Sequence, residues 1–472
     1  MRLTPLLAAI PMLLVAILIA AACEPAQTRF ATARVEKPSA TSPVAQAAAA
    51  RLDAPAIPLS AMAQLGQKMF FDPRLSGSGR MSCATCHNPG HAYAPANSLP
   101  AQLGGSELRL QGLRAVPSLT YLERTPKFVV RPDTAFDPDE RRLPKASRPT
   151  LAASPAAGAA SLNALEAQQV VPEGGMDWDG RAAILADQAG GPLLDPREMA
   201  NKDDAALLAR LRAAPYAGDF AAVFGSEAFN SPSAGLADMY LALARFQMED
   251  RSFHAYNSKF DYYLAGRAQL TAEELRGLKL FDDSDKGNCA ACHLDRPTKN
   301  RLAPAFTDYE FEALAVPRNM HLSVNHGAGF FDEGMCGPLR KDAARQSYCG
   351  LFKTPTLRNA ATRRVFFHNG AVHSLEDAVR FYVERETKPE KWYPRRADGT
   401  VVMYDDLPPA HRANVDVKDA PFNRHRGEKP ALNEQEIQDI VAFLKTLTDN
   451  YQQPSQSPAP NASAGLPPAP KR

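Results

Sequence analysis

One five-residue pattern that could do chemistry, Cys-x-x-Cys-His, occurs twice in the chain, at residues 83–87 and 289–293. In c-type cytochromes the two thiols of this pattern add to the vinyl groups of haem, and the adjacent histidine ligates the iron. The sequence therefore predicts two covalently bound haem c groups, held by Cys83, Cys86 and His87 and by Cys289, Cys292 and His293.

Redox dithiols and zinc sites also contain Cys-x-x-Cys, and these are the two alternatives. Histidine follows directly in both copies, and no further ligand pair stands at zinc-finger spacing. Haem attachment therefore explains the pattern better than either alternative.

The N-terminus has the pattern of a secretory signal. Residues 1–22 contain an apolar run too short for a typical membrane span, and they end in three alanines before Cys23. Small residues before a cysteine are typical of a lipoprotein cleavage site, which predicts a periplasmic protein with a lipid anchor at Cys23. Ordinary cleavage after an Ala-x-Ala sequence is the alternative. Residues 23–57, rich in Ala, Pro, Thr and Ser, are expected to form a disordered tether.

Composition excludes some classes of function. The formal net charge is only +2 and the apolar content is 45%, so no overall field attracts nucleic acid or an anionic membrane. Cys336 and Cys349 remain unassigned. In an oxidising compartment a disulfide between them is expected, and two buried free thiols are the alternative.

Similar helices must position the two haem motifs, because Gly-x-Lys-x-Phe precedes each of them, at residues 66–70 and 277–281. The first helix is predicted from Ser60, as N-cap, to Phe71, and the second begins with a capping box of Thr271 and Glu274. The sequence therefore predicts a mainly α protein with two c-type cytochrome-like lobes, each binding one covalent haem. Their predicted bounds are residues 58–265 and 266–450.

Other segments of the sequence predict further helices, surface insertions and a tail. Residues 202–265 have helical periodicity and are expected to pack lobe against lobe. A capping box at Asn433 and Glu436 predicts a final helix over the second haem. Surface insertions are expected at residues 132–170 and 384–430, and a disordered tail at residues 451–472.

Several motifs together identify a family. Residues 65–76 before the first haem motif, Gly174-Gly175-Met176-Asp177-Trp178-Asp179-Gly180-Arg181, Phe352-Lys353-Thr354-Pro355-Thr356-Leu357-Arg358-Asn359 and His368-Asn369-Gly370 occur in this order. They resemble the motifs of the bacterial di-haem cytochrome c peroxidase and MauG superfamily. The resemblance covers about residues 58–450, without the two insertions.

This resemblance implies catalytic residues around the first haem. It places Trp178 between the haems as an electron relay, and it places Gln188 and Glu198 on the open face of the first haem. Glu198 would then act as the acid and base in cleavage of peroxide, and Gln188 would orient the peroxide.

The resemblance also implies the sixth ligand of the second iron. Cytochrome c peroxidases have a methionine fourteen residues after the histidine of His-Asn-Gly, and MauG has a tyrosine there. Counting from His368 leads to Tyr382, which predicts a MauG-like His293/Tyr382 haem. Met320 or Met335 is the alternative ligand.

Three departures from the family limit what the resemblance implies. The family's Arg-Asn-x-Pro and Thr-x-Pro, which help to bind calcium between the lobes, are replaced by Arg114-Ala115-Val116-Pro117 and Arg363-Arg364-Val365, so calcium stays open. The surface tryptophan of MauG before the second haem motif is absent from residues 283–288, so maturation of methylamine dehydrogenase is not predicted. His91, the nearest candidate for a displaceable ligand, is interpreted as structural, which leaves the first iron open to peroxide.

These features predict a periplasmic di-haem oxidoreductase that reacts with hydrogen peroxide at the His87 haem. It would share oxidising equivalents with the second haem and oxidise a reductant or a protein partner. One alternative is a conventional cytochrome c peroxidase with a cytochrome c or cupredoxin donor. The other is a non-catalytic electron-transfer cytochrome, which would need two six-coordinate irons and no role for Glu198.

Overall fold

A computed structural model describes residues 39, 41–132, 170–327, 329–343 and 345–453 of the chain. The predicted signal sequence, Cys23, most of the first insertion and most of the tail lie outside the described residues. No helix among the described residues combines the length and the apolarity that crossing a bilayer requires.

Helices dominate the described residues. The first five are α1 (Pro43–Leu52), α2 (Ala61–Phe70), α3 (Cys83–Cys86), α4 (Leu185–Leu194) and α5 (Asp204–Ala213). The six that follow are α6 (Ala217–Phe224), α7 (Pro232–Glu249), α8 (Lys259–Leu264), α9 (Ala272–Asp282), α10 (Leu375–Glu384) and α11 (Glu434–Lys445).

Strands are few and short in the part of the chain that the structure describes, and they form three antiparallel pairs. These are β1 (Leu103–Gly104) with β2 (Leu110–Gln111), β3 (Val129–Pro132) with β4 (Val170–Glu173), and β5 (Phe311–Glu312) with β6 (Phe352–Lys353). Pro132 pairs with Val170, so the first predicted insertion leaves and re-enters the fold at one end of this ladder. The mainly α prediction is confirmed.

A crossed pair of helices organises each lobe. In lobe one α2 packs against α7, and in lobe two α9 packs against α11. The glycine of each Gly-x-Lys-x-Phe sequence lies at the crossing: a Cβ on Gly66 would lie 2.0 Å from the Ala242 carbonyl oxygen, and one on Gly277 would lie 1.9 Å from that of Asp439. Any side chain at these positions would separate the helices, which explains why the sequence repeats a glycine there.

Aromatic residues fill the two cores in the same way. Phe70 contacts Phe246 edge-on in lobe one, and Phe281 contacts Phe443 edge-on in lobe two, with ring centroids 5.6 and 5.2 Å apart. All four rings are buried. The predicted caps are confirmed, since the hydroxyls of Ser60 and Thr271 and the amide oxygen of Asn433 accept backbone N–H groups of their helices. The predicted Cys336–Cys349 disulfide is also present.

The expected tether of residues 23–57 is wrong for its last part, which forms α1. Ser42 caps this helix, Pro43 occupies its first turn, and Ala45 and Ala48 are buried. The composition resembled a linker, but alanine has the highest helix propensity of all residues, and here it also packs against α8.

Two expectations about packing are also corrected. Within residues 202–265, helix α7 lies in lobe one, where Leu236, Met239 and Leu243 are buried with the side chains of α2. Phe260 on α8 does contact Phe443 of lobe two, with ring centroids 5.6 Å apart, so only the end of this segment packs lobe against lobe. The expected surface insertion at residues 384–430 is wrong for its middle, where Leu407 and Phe422 are buried. These apolar side chains lack a regular period, so the sequence pattern concealed their burial.

We expect Gly277→Ala to lower the free energy of unfolding by about 1–3 kcal/mol, the usual range for overpacking, because the new methyl group would overlap the Asp439 carbonyl. Gly218→Ala is the matched control, since a Cβ there meets nothing within 4 Å. Chemical denaturation of the haem-loaded protein, followed by far-ultraviolet circular dichroism, measures both. Equal stability of the two variants would contradict the close helix crossing.

Candidate active site

The two motif histidines are held in the same way. His87 Nδ1 lies 3.1 Å from the Tyr93 carbonyl oxygen, and His293 Nδ1 lies 3.0 Å from that of Phe306. Tyr93 and Phe306 both have positive φ angles, of 57° and 54°. A ring whose Nδ1 donates to a carbonyl presents an unprotonated Nε2, which is the form that ligates iron.

The first cavity, about 1080 Å³ including space open to solvent, lies beside Tyr93, whose carbonyl holds the His87 ring. Ala92 and Ala94, on either side of Tyr93, line it, whereas Cys83, Cys86 and His87 are not among its lining residues. The cysteines are free thiols packed against the core of lobe one. The motif therefore lies at the edge of this cavity.

The second cavity, about 1660 Å³ including space open to solvent, contains the whole second motif in its wall. Cys289, Cys292 and His293 line it together with Tyr382. Among the described residues that line it there is no methionine. Met320 is 55% exposed and Met335 is buried in a separate apolar cluster, so of the three candidate ligands only Tyr382 shares a cavity with His293.

Trp178 lines both cavities. Its indole Nε1 donates to the Ala115 carbonyl at 2.8 Å, and its own carbonyl accepts the Lys353 backbone N–H at 2.8 Å. The Lys353 ammonium donates to the Gly175 carbonyl. The loop that carries the indole is therefore fixed at both ends between the two cavities.

Polar groups collect on the Trp178 side of the first cavity. Gln188, on α4, lines the cavity, and its Nε2 lies 3.4 Å from Asp177 Oδ1. Glu198 follows α4 in a turn held by the residue after β1, since the Gly105 N–H donates to the Glu198 carbonyl at 2.8 Å. Glu198 is not among the lining residues, but its carboxylate is near enough to help raise the pKa values of Cys83 and Cys86.

Burial and neighbouring carboxylates control the protonation of Glu198. Burial, with smaller contributions from Asp195 and Asp177, raises the pKa of Glu198 to about 7, although Arg181 opposes the shift. Burial also raises the pKa of Asp177. A carboxyl group with this pKa can both accept and donate a proton near neutral pH, which general acid–base catalysis requires.

The residues present fit two haem groups. Burial lowers the pKa of His87 to about 4, so this imidazole is neutral and able to ligate. In the second cavity the buried His368 Nε2 has no hydrogen-bond partner among the described residues, and the cavity wall also presents Cys289 and Cys292 at attachment spacing. An unpaired buried donor or acceptor in a largely apolar cavity indicates that a further polar group belongs there.

Sequence reasoning missed three residues of this site. Asp177 lies between Gln188 and Glu198, Lys353 lies between the cavities, and Arg363 lines the first cavity. Asp177 directly precedes Trp178, and Lys353 lies within the motif at residues 352–359, so both belong to motifs that identify the family. Arg363 was noted only as a departure from the family. His91 lies in a short turn beside the first motif, and no structural observation assigns it a ligand role.

Comparisons with known proteins place the chain in a family. The family model of the di-haem cytochrome c peroxidases matches residues 60–269. The methylamine utilization protein MauG of Paracoccus denitrificans is 30% identical over 84% of this chain and 90% of its own length. The cytochrome c551 peroxidase of Nitrosomonas europaea is 28% identical over 82% of this chain and 80% of its own length. The crystal structure of the di-haem peroxidase BthA of Burkholderia thailandensis superposes with a TM-score of 0.70, at 35% identity, over 85% of this chain and 89% of that one.

Proposed function

The chain belongs to the di-haem cytochrome c peroxidase and MauG family and is an oxidoreductase of the di-haem peroxidase type, and on that basis we propose that it reduces hydrogen peroxide in the first cavity with electrons shared between both cavities. A reductant or protein partner then restores these electrons. The observation that carries the proposal is the position of Trp178 in the walls of both cavities. Haem c, when bound, supplies an iron that the motif histidine ligates and that exchanges electrons at each cavity.

Residues of lobe one handle the protons. Reduction of hydrogen peroxide breaks the O–O bond, consumes two electrons and two protons, and gives two waters. Glu198 as carboxylate accepts a proton from one peroxide oxygen and returns it to the departing oxygen, while the Gln188 amide orients the peroxide. Asp177 supports this arrangement, because it accepts from Gln188 Nε2 and helps to raise the pKa of Glu198.

Trp178 connects the two electron sources. An indole between two redox groups divides one long electron transfer into two short ones. The hydrogen bonds of Trp178 to Ala115 and Lys353 hold the ring in one place, so its distance to each cavity is fixed. One electron from the haem that each cavity would hold would then account for the two electrons that peroxide consumes.

In this proposal Tyr382 would be the sixth ligand of the iron in the second cavity. Burial raises the pKa of the Tyr382 phenol well above its ordinary value, so ionisation requires a nearby positive charge such as a bound metal. As a phenolate it would be a hard anionic ligand that stabilises oxidised iron. Such a ligand would suit a second haem that gives up one electron while the first haem gives up another.

Stopped-flow mixing of the oxidised protein with hydrogen peroxide tests the function. We expect high-spin Soret absorbance to decrease within seconds, without prior reduction, because the proposal assigns the first iron no second protein ligand. A conventional cytochrome c peroxidase would instead require half-reduction before it reacts. Absence of any spectral change with the oxidised or the half-reduced protein would exclude peroxidase function and favour an electron-transfer cytochrome.

The proposed location is the periplasm, with a lipid anchor at Cys23. The signal pattern before Cys23, the haem attachment motifs and the Cys336–Cys349 disulfide support it, since disulfides persist in oxidising compartments. Cell fractionation of the natural protein and of Cys23→Ser tests it. Cofractionation of both proteins with the membrane would contradict the lipid anchor.

A further inference from the structure

Arg363 differs from two other arginines that lie near the cavities. Arg114 pairs with Asp179 and Asp332, and Arg358 pairs with Asp261. The Arg363 guanidinium, in contrast, donates only to the Val116 carbonyl, at 2.6 Å, and no carboxylate of the described residues pairs with it. Burial lowers its pKa to about 10, which still leaves the group positively charged at neutral pH.

The acceptor of Arg363 belongs to a segment that joins both cavities. The Ala115 N–H donates to the His368 carbonyl in the wall of the second cavity, at 2.7 Å. The Ala115 carbonyl accepts the indole N–H of Trp178, at 2.8 Å. Pro117 lines the first cavity together with Arg363. Arg363 therefore fixes the peptide next to the one that anchors Trp178.

Calcium, which the family resemblance implies for this junction, does not fit these residues. Calcium takes six to eight oxygen ligands. The side chain of Ala115 has no oxygen where the family has asparagine, and the carbonyls of Ala115 and Val116 already accept from Trp178 and Arg363. A permanently charged guanidinium bound to this segment would also repel a divalent cation.

We propose that the guanidinium of Arg363 replaces calcium as the positive charge between the two haem cavities, so that the protein holds the Trp178 loop without a metal ion at this junction. The side chain supplies charge and a hydrogen bond in one covalently attached group. A haem in the first cavity would bring two propionate carboxylates, which could supply the counter-charge that Arg363 lacks among the residues described. The inference rests on the two-haem arrangement of the proposed function, but not on its peroxide chemistry.

Metal analysis of the haem-loaded protein is the first test. We expect less than stoichiometric calcium after dialysis, and we expect a calcium chelator to leave the ferric electron paramagnetic resonance (EPR) spectrum unchanged. One tightly bound calcium per chain, or a spectrum that changes on chelation and recovers with added calcium, would overturn the inference. Neither readout depends on reaction with peroxide, so failure of the peroxidase proposal remains distinguishable.

Substitutions provide the second test. Removal of a positive charge beside the first cavity stabilises its oxidised iron, so Arg363→Gln should lower the midpoint potential of the first haem. The exposed neighbour Arg364 provides the matched control, Arg364→Gln, which should leave the potential unchanged. Equal potentials of Arg363→Gln and the natural protein would contradict the inference.

A double variant tests directly whether Arg363 takes the place of calcium. Ala115→Asn restores the side-chain oxygen that the family resemblance implies, and Arg363→Thr removes the positive charge that opposes a cation, so we expect the double variant to gain one calcium per chain. Failure to gain calcium in a haem-loaded double variant would count against the proposed exchange. If Arg363→Gln fails to incorporate haem, the calcium content and chelator response of the natural protein still decide the question.

Discussion

Replacement of Glu198 by glutamine should lower the rate constant for the reaction of the oxidised protein with hydrogen peroxide by about 10²–10⁴-fold, the usual contribution of a positioned acid–base group. The amide keeps the size of the side chain but cannot accept a proton from peroxide. Stopped-flow absorbance in the Soret region measures the rate constant. Glu273→Gln, at an exposed position on α9, is the matched control and should react like the natural protein.

The same experiment has a pH dependence with a defined sign. Only the Glu198 carboxylate can accept the proton, and its pKa is raised to about 7. The rate constant should therefore rise with pH and level off above that value, and it should fall by about tenfold for each pH unit below it. Glu198→Gln should lose this dependence. A variant that reacts as fast as the natural protein, with the same pH profile, would remove Glu198 from the mechanism.

Replacement of Tyr382 by methionine should raise the midpoint potential of the second haem, by on the order of hundreds of millivolts within the range that axial ligands span. A phenolate stabilises oxidised iron, whereas a thioether favours reduced iron. Spectroelectrochemical titration of the haem-loaded protein measures the potential. The variant should also depend on half-reduction for its reaction with peroxide, as a conventional cytochrome c peroxidase does.

Tyr382→Phe separates loss of the phenolate from gain of the thioether. It removes only the oxygen, and it should leave the second iron without its protein ligand on that side. If neither variant changes the spectrum or the potential of the second haem, Tyr382 is not its ligand.

The sequence was sufficient for the architecture of the lobes. The capping boxes at Thr271 and Asn433 encode local geometry, and the helices begin where these residues predict. The repeated glycine at residues 66 and 277 predicted two similar helices, and the structure adds that each lies at a helix crossing. The two haem motifs are equally local. Their histidines need only one carbonyl each, from Tyr93 and Phe306.

The remainder of the site depends on contacts between distant parts of the chain. Lys353 contacts the Trp178 loop, and Arg363 contacts Val116, but no spacing rule joins these positions. Leu407 and Phe422 form a wall of the second cavity although they lie in a charged, proline-rich segment without periodicity. Such contacts follow from the folded chain and could not be predicted from a local pattern.

The central claim is that Trp178 couples the haem sites of the two cavities, so that both give up electrons to one peroxide molecule. Freeze-quench EPR spectroscopy after addition of one equivalent of peroxide tests this claim most directly. In the natural protein we predict that the ferric signals of both haems decrease together. In Trp178→Phe, the signal of the first haem should change while that of the second persists on the same time scale. Simultaneous loss of both signals in Trp178→Phe, or an unchanged second signal in the natural protein, would contradict the account.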